Sequence, residues 1–178
     1  EAESGDVGSG FNLLQDGEVD YATIQTTSSA YNPEDTSRVI TFDVTFPDSG
    51  SYDLFARVRV GDSTFKDDSF LYGNGFGEKE TTVDSLWILA NGLATAGFSG
   101  AEEVVREAGG LGSGVWKWIN LSRNAFPSKS VTFIIEEDSL NKKFQIGGRE
   151  DGLDIDKFAF GKSYLFYTVE NLDSVTPG

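Results

Sequence analysis

The sequence predicts an all-β domain, a sandwich or jelly roll of two antiparallel sheets, and three observations predict it. Apolar side chains recur at every second position in several short runs. Those runs are rich in β-branched and aromatic residues and are separated by clusters of Gly, Asn, Asp and Ser. Helical composition is confined to one stretch, Gly100–Ala108, stopped by Gly109-Gly110, and Val104-Val105 within it suit a strand equally well.

The clearest run is Val39–Phe46, in which Ile40, Phe42, Val44 and Phe46 alternate with smaller or polar residues. Pro47-Asp48-Ser49-Gly50 supplies a turn. Tyr52–Val60 then resumes the alternation with Tyr52, Leu54, Ala56, Val58 and Val60 on one face, so the pair reads as an antiparallel hairpin. Further strands are expected at Ser85–Asn91, Val115–Ser122, Ser130–Glu136 and Ile155–Phe160. Two segments, Gly61 to Thr82 and Gly97 to Gly114, read as long loops, which on a rigid sandwich are where function usually sits. The expected organisation is one domain over residues 1–169 and a polar linker over 170–178.

Composition bounds the function. The 178 residues suffice for one domain with a substantial core. A net charge of −15 argues against a nucleic-acid surface and against an anionic membrane. The absence of Cys and His excludes thiolate nucleophiles, imidazole bases and Cys/His zinc sites. With 29 carboxylates available, the metal to expect is a hard, oxygen-seeking one such as Ca2+. A start at Glu1-Ala2-Glu3, with no Met anywhere, suits a processed mature chain or a module of a longer one. No apolar run approaches the ~20 residues that span a bilayer. Gly109-Gly110-Leu111-Gly112-Ser113-Gly114 is followed by no Lys-Ser/Thr, so it reads as a flexible connection and not a phosphate cradle.

Four segments together resemble carbohydrate-binding modules of families six and thirty-five: Glu1-Ala2-Glu3, the strand Gly50–Val58, Trp116-Lys117-Trp118, and Asp151-Gly152-Leu153-Asp154-Ile155-Asp156-Lys157-Phe158. The likeness runs over roughly residues 1–161 and rests on order and spacing. It implies a secreted or cell-surface module that binds a polysaccharide, carries an attached enzyme or assembly to it, and does no chemistry. It also implies a structural calcium joining the N-terminal strand to the last one, with Glu1, Glu3 and Asp156 as carboxylate ligands. Such a cation takes six to eight oxygens, and acidic residues two apart in a strand share a face. A frayed acidic terminus is the plainer alternative.

A sugar site needs an aromatic face for the C–H side of a pyranose and planar polar groups for its hydroxyls. By position the resemblance assigns the aromatic role to Tyr31 and Trp116. Trp116 and Trp118 share a face in a regular strand; Trp116 stands at its Gly-rich entrance, whereas Trp118 and Trp87 suit the core. Arg149, Glu150 and Asp151 precede the last strand, where a guanidinium beside carboxylates suits vicinal hydroxyls, or simply braces the loop. Asp68, Tyr72 and Asn74 lie in a glycine-broken segment that could wall the same site, or form a solvated acidic turn. The negative charge favours a neutral plant, algal or microbial glycan.

Two other classes compete. Paired carboxylates such as Glu102-Glu103 or Glu136-Glu137-Asp138 would suffice for glycoside hydrolysis. A structural or adhesive sandwich would need no site at all.

Overall fold

The computed structural model describes residues 1–106, 109–123 and 131–174. The chain is a β-sandwich of two antiparallel sheets. The first has the strand order β1 (Asp6–Val7), β4 (Val39–Thr45), β10 (Asn141–Gly147), β6 (Phe70–Gly73), β7 (Trp87–Ala90). The second runs β2 (Phe11–Asp16), β3 (Val19–Ile24), β11 (Leu153–Lys162), β5 (Gly50–Val60), β8 (Lys117–Asn120). β9 (Phe133–Ile135) pairs with the start of β5, at Gly50–Tyr52.

Alternation in β5 buries Tyr52, Leu54, Ala56, Val58 and Val60 between the sheets, as expected. The layer there is dominated by Phe: Phe46, Phe133 and Phe144 each lie 5.2 Å from the Phe160 ring, edge-on. The expected hairpin does not form. β4 pairs with β1 and β10, and β5 with β11, β8 and β9. The Pro47–Ser49 turn therefore carries the chain from one sheet to the other, so that both alternating faces point into the same core.

Five strands, β1, β2, β3, β6 and β10, lie outside the expected set. β2 and β3 form a hairpin through Gly17, whose φ of 63° is the left-handed conformation that an Asp-Gly step signals. β10 pairs along its whole length with β4. β6 divides what reads in sequence as one loop from Gly61 to Thr82. The candidate helical stretch Gly100–Ala108 is not helical over its described part, where Val104 bridges to Thr168; residues 107–108 lie outside the described residues.

The C-terminal stretch expected as linker is docked as far as Asp173. Thr168 caps α1 (Val169–Asp173) through a reciprocal pair of bonds with Asn171. Val169 and Leu172 bury against Phe55 and Trp118 on the outer face of the second sheet, and the Trp118 indole Nε1 donates to Asp173 at 2.7 Å. On the other sheet's outer face Trp87 packs with Val39 and Leu71, and its Nε1 donates to the Glu80 carbonyl.

Candidate functional site

Strand registers gather five connections at one end of the sandwich. Leu153 pairs with Val60 and Gly147 with Val39, while Ser28 N–H donates to the Arg149 carbonyl and Gly114 N–H to the Val60 carbonyl. The segments after β3, after β5, after β7, before β8 and between β10 and β11 therefore meet there. Tyr31, Asp68, Trp116, Arg149, Glu150 and Asp151 all belong to this end.

A network of buried charges holds it. Arg38 donates to the carbonyls of Gly148, Thr26 and Arg149 and to the Thr26 hydroxyl. Arg149 donates through Nε to the Ala30 carbonyl at 3.2 Å and through Nη1 to Ser69 and to Glu150 Oε1. The second Glu150 oxygen accepts the Asp68 N–H at 3.0 Å, and Asp68 Oδ2 accepts the Ala94 N–H. Burial pushes the Asp68 carboxyl above its ordinary range, with the Glu150 charge adding to the shift. Asp151 bonds Thr27.

Lys117, absent from every sequence-level expectation, is the centre of the adjoining loops. It is fully buried, and its Nζ donates to the carbonyls of Leu93, Leu111 and Gly112 at 2.6, 2.8 and 2.9 Å. Desolvation pulls the amine down to about 8, against the opposing pull of Asp68. In sequence a Lys between two Trp residues reads as the outward member of the strand, so no local signal marks Lys117 as facing inward. Gly152, at φ 83°, is required by the same packing, since a Cβ there would meet the Asp67 carboxylate at 2.6 Å.

What reaches solvent at this end is selective. The Tyr31 ring is 58% exposed, on the loop whose Ala30 carbonyl Arg149 grips, and Asp151 is exposed nearby in sequence and network. Trp116 stands apart, on the outer face of the second sheet: its ring is half-buried, 5.6 Å from Tyr21 and 4.6 Å from the Arg59 guanidinium that covers it. Its Nε1 is buried without a partner. Arg59 is itself paired to Asp154 and Asp16.

Two expected contributors are elsewhere. Tyr72 points into the inter-sheet core, buried beside Phe70 and Phe133, and burial drives its hydroxyl far above the ordinary range. Alternation places it there once Phe70–Gly73 is a strand. Asn74 follows that strand at the opposite end, where it donates to the Ser85 carbonyl. Asp68 is buried and braces backbone, so it does not face a ligand.

The three expected metal ligands share a neighbourhood, because a 3-10 turn at Ala2–Ser4 packs on β3 and β11. Two of them are otherwise engaged: Asp156 accepts Arg57 at 2.7 Å, and Glu1 lies 3.8 Å from Lys157. Among the described residues no three acidic side chains gather to hold a cation. One observation favours a cation: Glu3 Oε2 is buried without a partner, and desolvation, with the charges of Glu1 and Asp20, pushes that carboxyl upward.

The pairs that a hydrolase would use lie apart from this end in their bonding. Glu103 accepts the N–H groups of Ser99 and Gly100, and Glu136, Glu137 and Asp138 are exposed. A concavity of about 670 Å³ lies on the outer face of the first sheet over Thr41, Asp43, Lys143 and Gln145. Its floor is already bonded, Gln145 joining Thr41 and the Lys79 N–H.

No family model and no curated protein matches the chain. Among solved structures, the isomalto-dextranase of Arthrobacter globiformis T6, determined with panose, is similar over 84% of this chain at 14% identity and a TM-score of 0.41. The match spans 20% of that enzyme's chain. No helix among the described residues is long and apolar enough to cross a membrane.

Proposed function

We propose that this β-sandwich is a non-catalytic, secreted or cell-surface module that binds a neutral polysaccharide at the loop end and carries an attached enzyme or assembly to it. The observation that supports the reading is the exposed Tyr31 ring, held on a loop pinned by Arg149 and accompanied by the exposed carboxylate of Asp151. An aromatic face and a planar polar group on a rigid frame are what a pyranose requires. Rigidity limits the entropy lost on binding. Trp116, half-covered by Arg59, is a weaker platform than Tyr31.

The test is depletion of the chain from solution by a panel of insoluble polysaccharides, with released reducing sugar assayed in the same tubes. Retention without product, abolished by Tyr31→Ala and kept by Trp116→Ala, is the expected result. Product release would make the chain a hydrolase. Retention unchanged by Tyr31→Ala would move the site off the loop end.

A structural calcium at Glu1 and Glu3, with Asp156 turning from Arg57, belongs to the same reading. The cation would supply positive charge to the orphaned Glu3 oxygen. Added Ca2+ should raise the melting temperature and EDTA reverse it, and Glu3→Gln should remove the response. An unchanged melt would remove calcium from the proposal.

A further inference from the structure

The two sheets leave one side of the sandwich open. β1 pairs with β4 only at Ile40 and Thr41, and β3 with β11 only at Asp154 and Ile155. Beyond those points β4 is paired on one side by β10, and β11 on one side by β5, among the described residues.

Backbone parity shows which groups face the gap. The Leu54 N–H and C=O are used on the β8 side, by Ser122 and Leu121, so Leu54 bonds nothing on β11. Its β11 partner Phe160, and likewise Phe158 opposite Ala56, must then turn N–H and C=O away from β5. Lys162, next in the same phase, donates its N–H outward to the Tyr167 hydroxyl. A strand edge with free donors and acceptors is a template for another strand.

The gap is also apolar. A cleft of about 330 Å³ runs along it, lined by Phe42, Phe144, Phe158 and Phe160, of which only Phe144 is fully buried. Directly after β11 stand Tyr164, Leu165 and Phe166, exposed by 75, 49 and 70%. Three successive exposed apolar residues beside an unpaired edge form the kind of patch that marks a contact surface.

We propose that this seam docks an extended strand of a partner polypeptide, one that alternates apolar with basic residues. Its backbone bonds the free groups of Phe158 and Phe160, and its apolar side chains enter the Phe-lined cleft. The basic positions follow from the charge of −15 that such a strand approaches; on the facing edge Asp43, bridged to Lys143 at 3.2 Å, keeps its carboxylate 85% exposed.

The experiment uses the whole chain and a nine-residue peptide alternating Val and Lys, against the same peptide with its central Val residues replaced by Pro and its charge kept, read by amide hydrogen exchange in NMR. The alternating peptide should slow exchange at Phe158 and Phe160 about tenfold or more, and the Pro-interrupted one should not. Phe42 and Val44, paired with β10, should be slow in both. Equal effects of the two peptides would reduce the contact to charge attraction and overturn the proposal. So would protection at Asp43 and Thr45 in place of the β11 amides, no binding at millimolar peptide, or protection that grows with protein concentration alone, which would mean a second copy covers the seam.

Discussion

The loop end and the inter-sheet layer are both well buried, but by opposite physics. Between the sheets the packing is of Phe rings, with the Tyr52 and Tyr72 phenols as the polar groups among them, and stability there scales with area and fit. At the loop end Arg38, Asp68, Lys117, Arg149 and Glu150 are buried or nearly so, and each is held by named donors or acceptors. Buried charges of this kind add little net stability, because desolvation offsets attraction, yet breaking one partner is costly. The contrast teaches that the aromatic layer makes the sandwich, whereas the ionic network sets the geometry of the loops that it carries.

The largest test of that division is Phe144→Ala. Phe144 is 1% exposed and touches Phe42, Phe133, Phe158 and Phe160. The loss should be about 3–5 kcal/mol in denaturant unfolding. A loss below ~1 kcal/mol would mean the layer is not the source of stability.

Lys117→Met should cost less, about 1–3 kcal/mol, since shape is kept while the buried Leu93 carbonyl and the part-buried carbonyls of Leu111 and Gly112 lose their donor. The change should also open Leu111–Gly114 to limited proteolysis with the core intact. Unchanged stability together with unchanged proteolysis would show that the ammonium is not what ties these loops.

Protonation probes the buried charges without mutation. Burial raises the carboxyls of Glu3, Asp68, Asp154 and Asp156 above their ordinary values of 4.5 and 3.8. A raised acid binds its proton more tightly folded than unfolded. Its contribution is therefore fully present below the unfolded value and is lost as pH rises through the folded one. The melting temperature should thus rise on going from neutral pH toward about pH 5. Lys117 has the opposite sense: at about 8 folded against 10.5 ordinarily, the unfolded chain holds the extra proton, and this group favours folding increasingly across that window. Lys117→Met should shrink the alkaline rise to what Lys79, also lowered by burial, supplies, and leave the acidic one. An alkaline rise undiminished by the substitution would assign it to another group.

The smallest expected effect on stability is that of Tyr31→Ala, within about 0.5 kcal/mol for a ring in solvent. Its effect on glycan retention should nevertheless be complete. A destabilised variant would show that the ring braces the loop.

Much of the fold was legible in the residues themselves. Alternation in Val39–Phe46 and Tyr52–Val60 identifies strands and their buried faces without tertiary information, because side chains in extended backbone alternate whatever the strand pairs with. For the same reason alternation cannot say which sheet a strand joins, and β4 and β5 separate. The shared face of Trp116 and Trp118 was legible too, although only the docking of α1 decides that Trp118 is buried, and only Arg59 and Tyr21 that Trp116 is half-covered.

The site was legible in part. Arg149, Glu150 and Asp151 follow from their place before the last strand. Their bonding depends on Ser69, Asp68 and Ala30, up to 119 residues away, and no local pattern encodes such distances. Tyr72 and Asn74 were misread because β6 is four residues long, too short for alternation to announce itself. By itself the sequence determined an acidic all-β chain without thiol or imidazole chemistry. Tertiary structure alone decided that Lys117 faces three carbonyls, that Tyr31 reaches solvent and that one side of the sandwich stays open, since each depends on segments that meet only after the strands have paired.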